Sequence, residues 1–265
     1  MDTSSEWHRP TRSEAAARLV CFPYAGGGAA GYHRWRPAVP GWLDLLPLEL
    51  PGREGRVKER PYTDLRQLAA TLADKLQPIL NRPYAFLGHS MGAWLALEVA
   101  REMRRRGVRL PELLVVAASR PPQVVADDQS PPLHRLPDEE LVAAVVERYD
   151  GIPPAIRASP ELLQLLLPAL RADLQMVETY RCTEEPPLET PILALGGTED
   201  RAVPLAQLGE WRRHTARDFS MRLLPGGHFF LFQGKREERP SALLTILARM
   251  DRVRKTEPAA AKPPD

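Results

Sequence analysis

The sequence predicts an α/β fold: a mostly parallel central sheet with helices on both faces and a helical insertion over one end. Three observations lead there. Short apolar runs read as strands, and several are continuous, as parallel strands covered on both faces require. Amphipathic helical patterns alternate with them. One connection, residues 120–190, is far longer than the roughly dozen residues that a crossover needs, and it carries helical patterns of its own.

The strand candidates are RLVCF at 18–22, part of WLDLLPLEL at 42–50, PYAFLG at 83–88, LLVVAAS at 113–119, PILALG at 191–196 and FSMRLL at 219–224. Between the second and third, Thr63 to Leu80 places apolar residues at 65, 68, 69, 72, 76, 79 and 80, a helical stripe that Thr63 or Asp64 can cap. A second helix is expected from Met91 to a C-cap at Gly107, with Arg104, Arg105 and Arg106 in its last turn, where cations suit the helix dipole. PSALLTILARM at 240–250 closes the fold. Within the long connection, 138–149 and 160–180 are amphipathic, and prolines punctuate the stretch, Pro168 among them. This pattern predicts an inserted helical lid over about 120–189, in a domain spanning 18–250. Residues 1–17 are expected to form a flexible polar leader, and 251–265, rich in Pro, Ala and Lys, a disordered tail.

The 265 residues, 43% of them hydrophobic, suffice for one large core and are too few to force two domains. A net charge of +2 and scattered aromatics argue against nucleic acid as a partner. The leader has no apolar segment resembling a signal peptide, and the longest apolar runs, at 113–118 and 162–170, fall short of the ~18 residues of a membrane-spanning helix. No membrane association is expected, and a cytoplasmic location is. Cys21 and Cys182 suit a reducing compartment, and Cys21, inside an apolar run, reads as a buried thiol. Nothing indicates a dimer seam, so a monomer is expected.

The chemistry centres on GHSMG at 88–92. Alone, a G-x-S-x-G frame is compatible with chance. Here an apolar strand precedes it and a helical pattern follows, the context of a nucleophile elbow, in which a sharp turn exposes the Ser90 hydroxyl and Gly88 and Gly92 let backbones pass closely. A serine hydroxyl is a weak nucleophile until a base takes its proton and a third group orients that base. In this topology the acid and then the histidine follow in later loops. Of six histidines, only His228 follows a late strand in a glycine turn, PGGHFF. The loop after PILALG offers both Asp200 and Glu199, and the frame Gly197 to Val203 favours Asp200. The oxyanion donors are expected to be the backbone N–H groups of Met91 and of Ala25, the latter in FPYAGGGAAG after the first strand, where Gly26, Gly27 and Gly28 allow unusual angles and close approach to a ligand. That loop lacks the lysine and spacing of nucleotide-binding glycine loops, and no His/Cys/Asp cluster has metal-ligand spacing. No cofactor or metal is expected.

Four segments in this order and spacing, FPYAGGGA, LPGREGR at 50–56, FLGHSMGAWLALE and PGGHFFL, resemble the type II thioesterases over roughly 18–250. These are stand-alone α/β-hydrolase enzymes that accompany polyketide synthases and nonribosomal peptide synthetases. The resemblance implies hydrolysis of thioesters on the 4′-phosphopantetheine arm of acyl or peptidyl carrier domains, removing misprimed or stalled acyl groups. It maps Ser90 to the nucleophile, His228 to the base, Asp200 to the orienting acid, and Met91 and Ala25 to the oxyanion hole. The alternatives are a general carboxylesterase or lipase, an acyl transferase with the same triad, and a non-catalytic binding scaffold, the last disfavoured because all three triad members are present.

Overall fold

The computed structural model describes residues 7, 12, 14–124, 131–233 and 241–256. Six strands, β1 (Ala17–Phe22), β2 (Leu43–Pro47), β3 (Tyr84–His89), β4 (Leu113–Ala117), β5 (Ile192–Gly197) and β6 (Phe219–Leu224), form one sheet in the order β2-β1-β3-β4-β5-β6. Every pairing is parallel. The chain steps outward from β1 to β2 and returns to the other side of β1 for β3. The connections leaving β1 and β3 therefore diverge at their carboxyl ends, where ligands settle in open parallel sheets. In register, Phe22 at the end of β1 lies beside Gly88 of β3.

Eight α-helices are described: α1 (Ala30–His33), α2 (Leu65–Leu76), α3 (Met91–Arg105), α4 (Asp138–Tyr149), α5 (Pro154–Arg157), α6 (Pro160–Thr179), α7 (Leu205–Gly209) and α8 (Ser241–Thr256). Strand alternation divides the core in two. Val20, Phe22, Phe86 and Val116 pack with α2 and α3 on one face of the sheet. Leu19, Cys21, Leu87 and Val115 pack with Tyr32, Leu243 and Ile246 on the other. Helix α2 starts where its stripe starts, capped by the Asp64 carboxylate, which accepts from the Gln67 N–H at 2.8 Å. Helix α3 stops ahead of Gly107, which takes a φ of 66°. Cys21 is buried, and desolvation pushes its thiol pKa well up, so it stays an unreactive thiol.

The insertion has its own small core, in which Leu141 and Val145 of α4 meet Leu167, Leu170 and Leu174 of α6. Pro168 does not end α6. Its missing N–H removes the helical donor to the Gln164 carbonyl, and both residues lie on the exposed face, where that carbonyl is open to solvent. The roots of the insertion are tied to the sheet domain. Indole N–H groups of Trp211 and Trp94 donate to the carbonyls of Ser119 and Arg120, each at 2.7 Å. Where the insertion returns, the Tyr180 hydroxyl donates to Glu98 of α3 at 2.7 Å, and Glu98 also pairs with Arg101 at 2.8 Å.

His214 packs beside this network, between Gln123 (2.5 Å) and Arg101 (3.5 Å). Burial, with the Arg101 guanidinium adding to it, pushes its pKa down to about 4. Unfolded, the imidazole titrates near 6.5. The neutral ring therefore contributes stability that is full above about pH 6.5 and declines as the pH falls toward 4, because the unfolded chain takes up the proton first. Urea unfolding between pH 8 and pH 4 is expected to show this decline in the wild type and a shallower one in His214→Gln; equal slopes would refute the assignment.

Two sequence expectations differ from the structure. The leader was expected to be flexible throughout, yet Trp7 is buried, with the Arg56 guanidinium 3.9 Å over its ring and its carbonyl accepting from the Glu49 N–H at 3.0 Å. An indole buries enough area to hold a polar segment, and Arg12 adds a second anchor, its Nη1 donating to the Pro40 carbonyl at 2.6 Å. The tail was expected to be disordered from 251, but α8 runs on to Thr256, since nothing in DRVRKT breaks a helix already nucleated by the apolar turns before it. Residues 257–265 lie outside the described ones. Among the described residues no helix is long and apolar enough to cross a membrane, and no group of three His, Cys, Asp or Glu side chains could hold a metal ion.

Candidate active site

Ser90 stands between β3 and α3 with φ 54° and ψ −117°, a conformation that costs a non-glycine residue strain and is held by its surroundings. Its N–H donates to the Ala117 carbonyl of β4 at 2.8 Å. The glycines on either side let the turn be this tight. A Cβ on Gly88 would lie 2.2 Å from the Gly92 carbonyl oxygen, and a Cβ on Gly92 would lie 2.2 Å from that of Phe22.

The structure brings Ser90, His228 and Asp200 together. His228 Nε2 lies 3.0 Å from Ser90 Oγ, and its Nδ1 lies 3.0 Å from Asp200 Oδ2. The carboxylate accepts, so Nδ1 carries the proton and Nε2 is left to accept from the hydroxyl. Asp200 Oδ1 accepts from the Ala202 N–H at 2.9 Å, which fixes the carboxylate plane. Glu199 is exposed and contributes its backbone N–H, which donates to Gly226 at 2.9 Å. The acid loop and the histidine loop extend the β5–β6 pairing in this way, with Thr198 donating to Leu224 at 2.9 Å.

His228 has to return from the edge strand β6 to a serine on β3, and a residue that sequence reasoning considered only as a rejected base holds it there. His89, fully buried beside Ser90, lies with Nε2 2.9 Å from the His228 carbonyl. A carbonyl only accepts, so Nε2 bears the proton. Burial, with His228 adding to it, holds the His89 pKa well below the usual histidine value. Neutral His89 thus ties the backbone of one catalytic candidate to the turn of the other. The signal was its place inside the motif: one step before the serine, strand alternation turns it away from the nucleophile and under the loop.

Met91 is the first residue of α3, where backbone N–H groups have no intrahelical acceptor. In the loop after β1, the Gly27 N–H donates to Tyr24 and the Gly26 N–H to Asp173, each at 2.8 Å. The N–H of Ala25 has no partner among the described residues. The three glycines were expected to serve backbone freedom and ligand approach. Only Gly26 takes a positive φ, 73°, as the third residue of a tight turn requires. Gly28 instead makes room for the Glu54 carboxylate, which would lie 2.4 Å from a Cβ there.

Ser90, Met91, Ala25 and His228 all line a cavity of about 170 Å³. Its other walls are mainly apolar: Trp94 from the sheet domain, and Val145, Tyr149, Ile156, Leu166 and Leu170 from the insertion. Ser90 and the two residues that carry the candidate N–H donors thus open on one largely apolar chamber.

This sheet, with a strained serine turn at the carboxyl end of its third strand and a helical insertion above, is that of the α/β-hydrolases. The chain belongs to the thioesterase family, whose Thioesterase domain model matches residues 17–249, and it is a hydrolase acting on thioester bonds. The gramicidin S biosynthesis protein GrsT of Aneurinibacillus migulanus is 40% identical over 225 residues, 85% of this chain and 87% of GrsT. Thioesterase PikA5 of Streptomyces venezuelae is 37% identical, over 82% of this chain and 76% of its own. The structure of RedJ, a thioesterase from the prodiginine biosynthetic pathway in Streptomyces coelicolor, matches with a TM-score of 0.81 at 37% identity, covering 89% of this chain and 91% of RedJ.

Proposed function

We propose that the protein hydrolyses acyl thioesters from the 4′-phosphopantetheine arm of carrier proteins, clearing aberrant or stalled acyl groups from a polyketide or nonribosomal peptide assembly line. The observation that carries this is the Ser90–His228–Asp200 chain of two 3.0 Å hydrogen bonds at the wall of an apolar cavity, in a thioesterase-family chain. The biosynthetic settings of GrsT, PikA5 and RedJ support the choice of substrate carrier.

Ser90 Oγ attacks the acyl carbonyl carbon as His228 Nε2 takes its proton. The N–H groups of Met91 and Ala25 hold the resulting oxyanion, and Asp200 stabilises the imidazolium. The C–S bond breaks, and the pantetheine thiol leaves with the proton from His228. Water then attacks the acyl-Ser90 ester with His228 as base, releasing the carboxylic acid and restoring the serine. No cofactor is required beyond the arm that the substrate brings. The insertion acts as a lid: it shelters the acyl chain and moves to admit the arm.

The test loads a phosphopantetheinylated carrier protein with acetyl, propionyl and longer acyl groups and follows deacylation by intact-protein mass spectrometry, with oxygen esters of the same acids alongside. Carrier-bound thioesters are expected to turn over faster than oxygen esters of equal chain length. Much faster turnover of oxygen esters would replace this reading with a general carboxylesterase, and transfer of the acyl group to an added alcohol or amine in preference to water would replace it with an acyl transferase.

A further inference from the structure

The segment LPGREGR resembles the family yet takes no part in the triad. It leads to side chains that grip the loop carrying Ala25 from three directions. Arg53 and the fully buried Asp173 form a two-pronged pair, Nη1 to Oδ2 at 2.6 Å and Nη2 to Oδ1 at 2.8 Å. Asp173 Oδ2 also accepts from the Gly26 N–H at 2.8 Å, while Arg53 Nη1 donates to the Gly27 carbonyl at 2.9 Å. Glu54, itself at a φ of 49°, caps the other end of the loop, its two oxygens each accepting at 2.9 Å, from the N–H groups of Ala29 and Ala30. The stretch from Gly26 to Ala30, at the start of α1, thus has four backbone groups bound by side chains from elsewhere. The Ala25–Gly26 peptide is fixed by Asp173, immediately after the N–H assigned to the oxyanion.

Asp173 belongs to α6, in the insertion. From the same helix, Leu166 and Leu170 approach Gly26 so closely that a Cβ there would meet them at 3.2 and 3.1 Å. Lifting α6 would take the carboxylate from the Gly26 N–H and the Arg53 guanidinium together.

We propose that Asp173, Arg53 and Glu54 are positioning residues that set the oxyanion loop, and that Asp173 makes this setting conditional on α6 being seated. The insertion then completes the oxyanion hole as it closes over the acyl chain, and the hole loosens when the insertion opens for release. This rests on the reading of Ser90 and Ala25 given above.

The test measures kcat and KM of Asp173→Asn and Glu54→Gln with an acylated carrier and with the corresponding acyl-N-acetylcysteamine thioester. It also measures inhibition by a trifluoromethyl ketone bearing the same chain, whose carbonyl adds Ser90 Oγ to give a tetrahedral oxyanion. A donor out of place is expected to lower kcat about 10- to 100-fold, by the same factor for both substrates. Ketone affinity falls in parallel, while KM and the acid limb of the pH profile hold. Because Asp173→Asn leaves Arg53 buried without its charge partner, the double variant Arg53→Met/Asp173→Leu accompanies it. With no unpaired charge, it is expected to melt near the wild type yet to keep the kcat defect, since Gly26 still lacks its acceptor. Wild-type kcat and ketone affinity in a folded double variant would overturn the proposal, as would a loss confined to the carrier-bound substrate, which would make these residues part of carrier docking. Ser90→Ala runs in parallel. If it is inert while the double variant is fully active, the positioning role falls alone; if it still turns over, the site reading falls and takes the positioning role with it.

Discussion

Ser90→Ala is expected to lower kcat toward an acylated carrier by about five to six orders of magnitude, with substrate binding retained. The hydroxyl is the sole group within hydrogen-bonding distance of His228 Nε2 among the described residues, and the cavity walls that hold the acyl chain are untouched by its loss. The mass of an acyl adduct, trapped in the wild type by rapid quenching, is expected to disappear in the variant. Asp200→Asn is expected to cost about ten-thousand-fold in kcat. The asparagine amide would donate to Nδ1, moving the imidazole proton to Nε2, where it blocks transfer from Ser90. Glu199→Gln is expected to stay within about twofold, because Glu199 acts through its backbone N–H and its carboxylate is exposed. Equal, small losses in the Asp200 and Glu199 variants would remove Asp200 from its role.

Gly92→Ala and Gly88→Ala are each expected to destabilise the fold by about 3–5 kcal/mol and to abolish activity in whatever folds. Ordinary core overpacking is relieved by turning a side chain. Here the atoms met at 2.2 Å are carbonyl oxygens of Phe22 and Gly92, so relief demands moving β1 or the start of α3. Either shift displaces the Met91 N–H from Ser90. Gly209→Ala is the control: nothing lies within 4 Å of its added methyl and its φ is not positive, so it is expected to melt within a degree or two of the wild type or slightly above. Thermal unfolding followed by circular dichroism separates the outcomes. A Gly92→Ala protein melting with the wild type would mean that the strand–helix crossing is not as close as described.

Much of the architecture was legible because it rests on local periodicity. FSMRLL is β6 to the residue, and 138–149 is α4 to the residue, since caps and apolar spacing act within a few positions of chain. Trp7 and the last turns of α8 departed from expectation, because Trp7 is anchored by partners at 49 and 56, far away in sequence, and because α8 inherits its helicity from its preceding turns. The helical pattern over 160–180, which runs through Pro168, is α6 to within a residue, because Pro168 lies on the exposed face of that helix.

By itself, the sequence determined the sheet, the helical insertion and the candidate serine, because each is written in contiguous residues whose spacing fixes a local conformation. Only the tertiary structure decided which of two adjacent carboxylates meets His228, since Asp200 and Glu199 differ by one step in a turn whose direction is set by its pairing with the loop at Gly226. It also decided that His89 anchors the histidine loop, and that Asp173, 147 residues from Gly26, binds the loop beside the candidate oxyanion donor. Hydrogen bonds between segments so far apart leave no periodic trace in a single chain, because their geometry exists only once the sheet has brought the strand ends together.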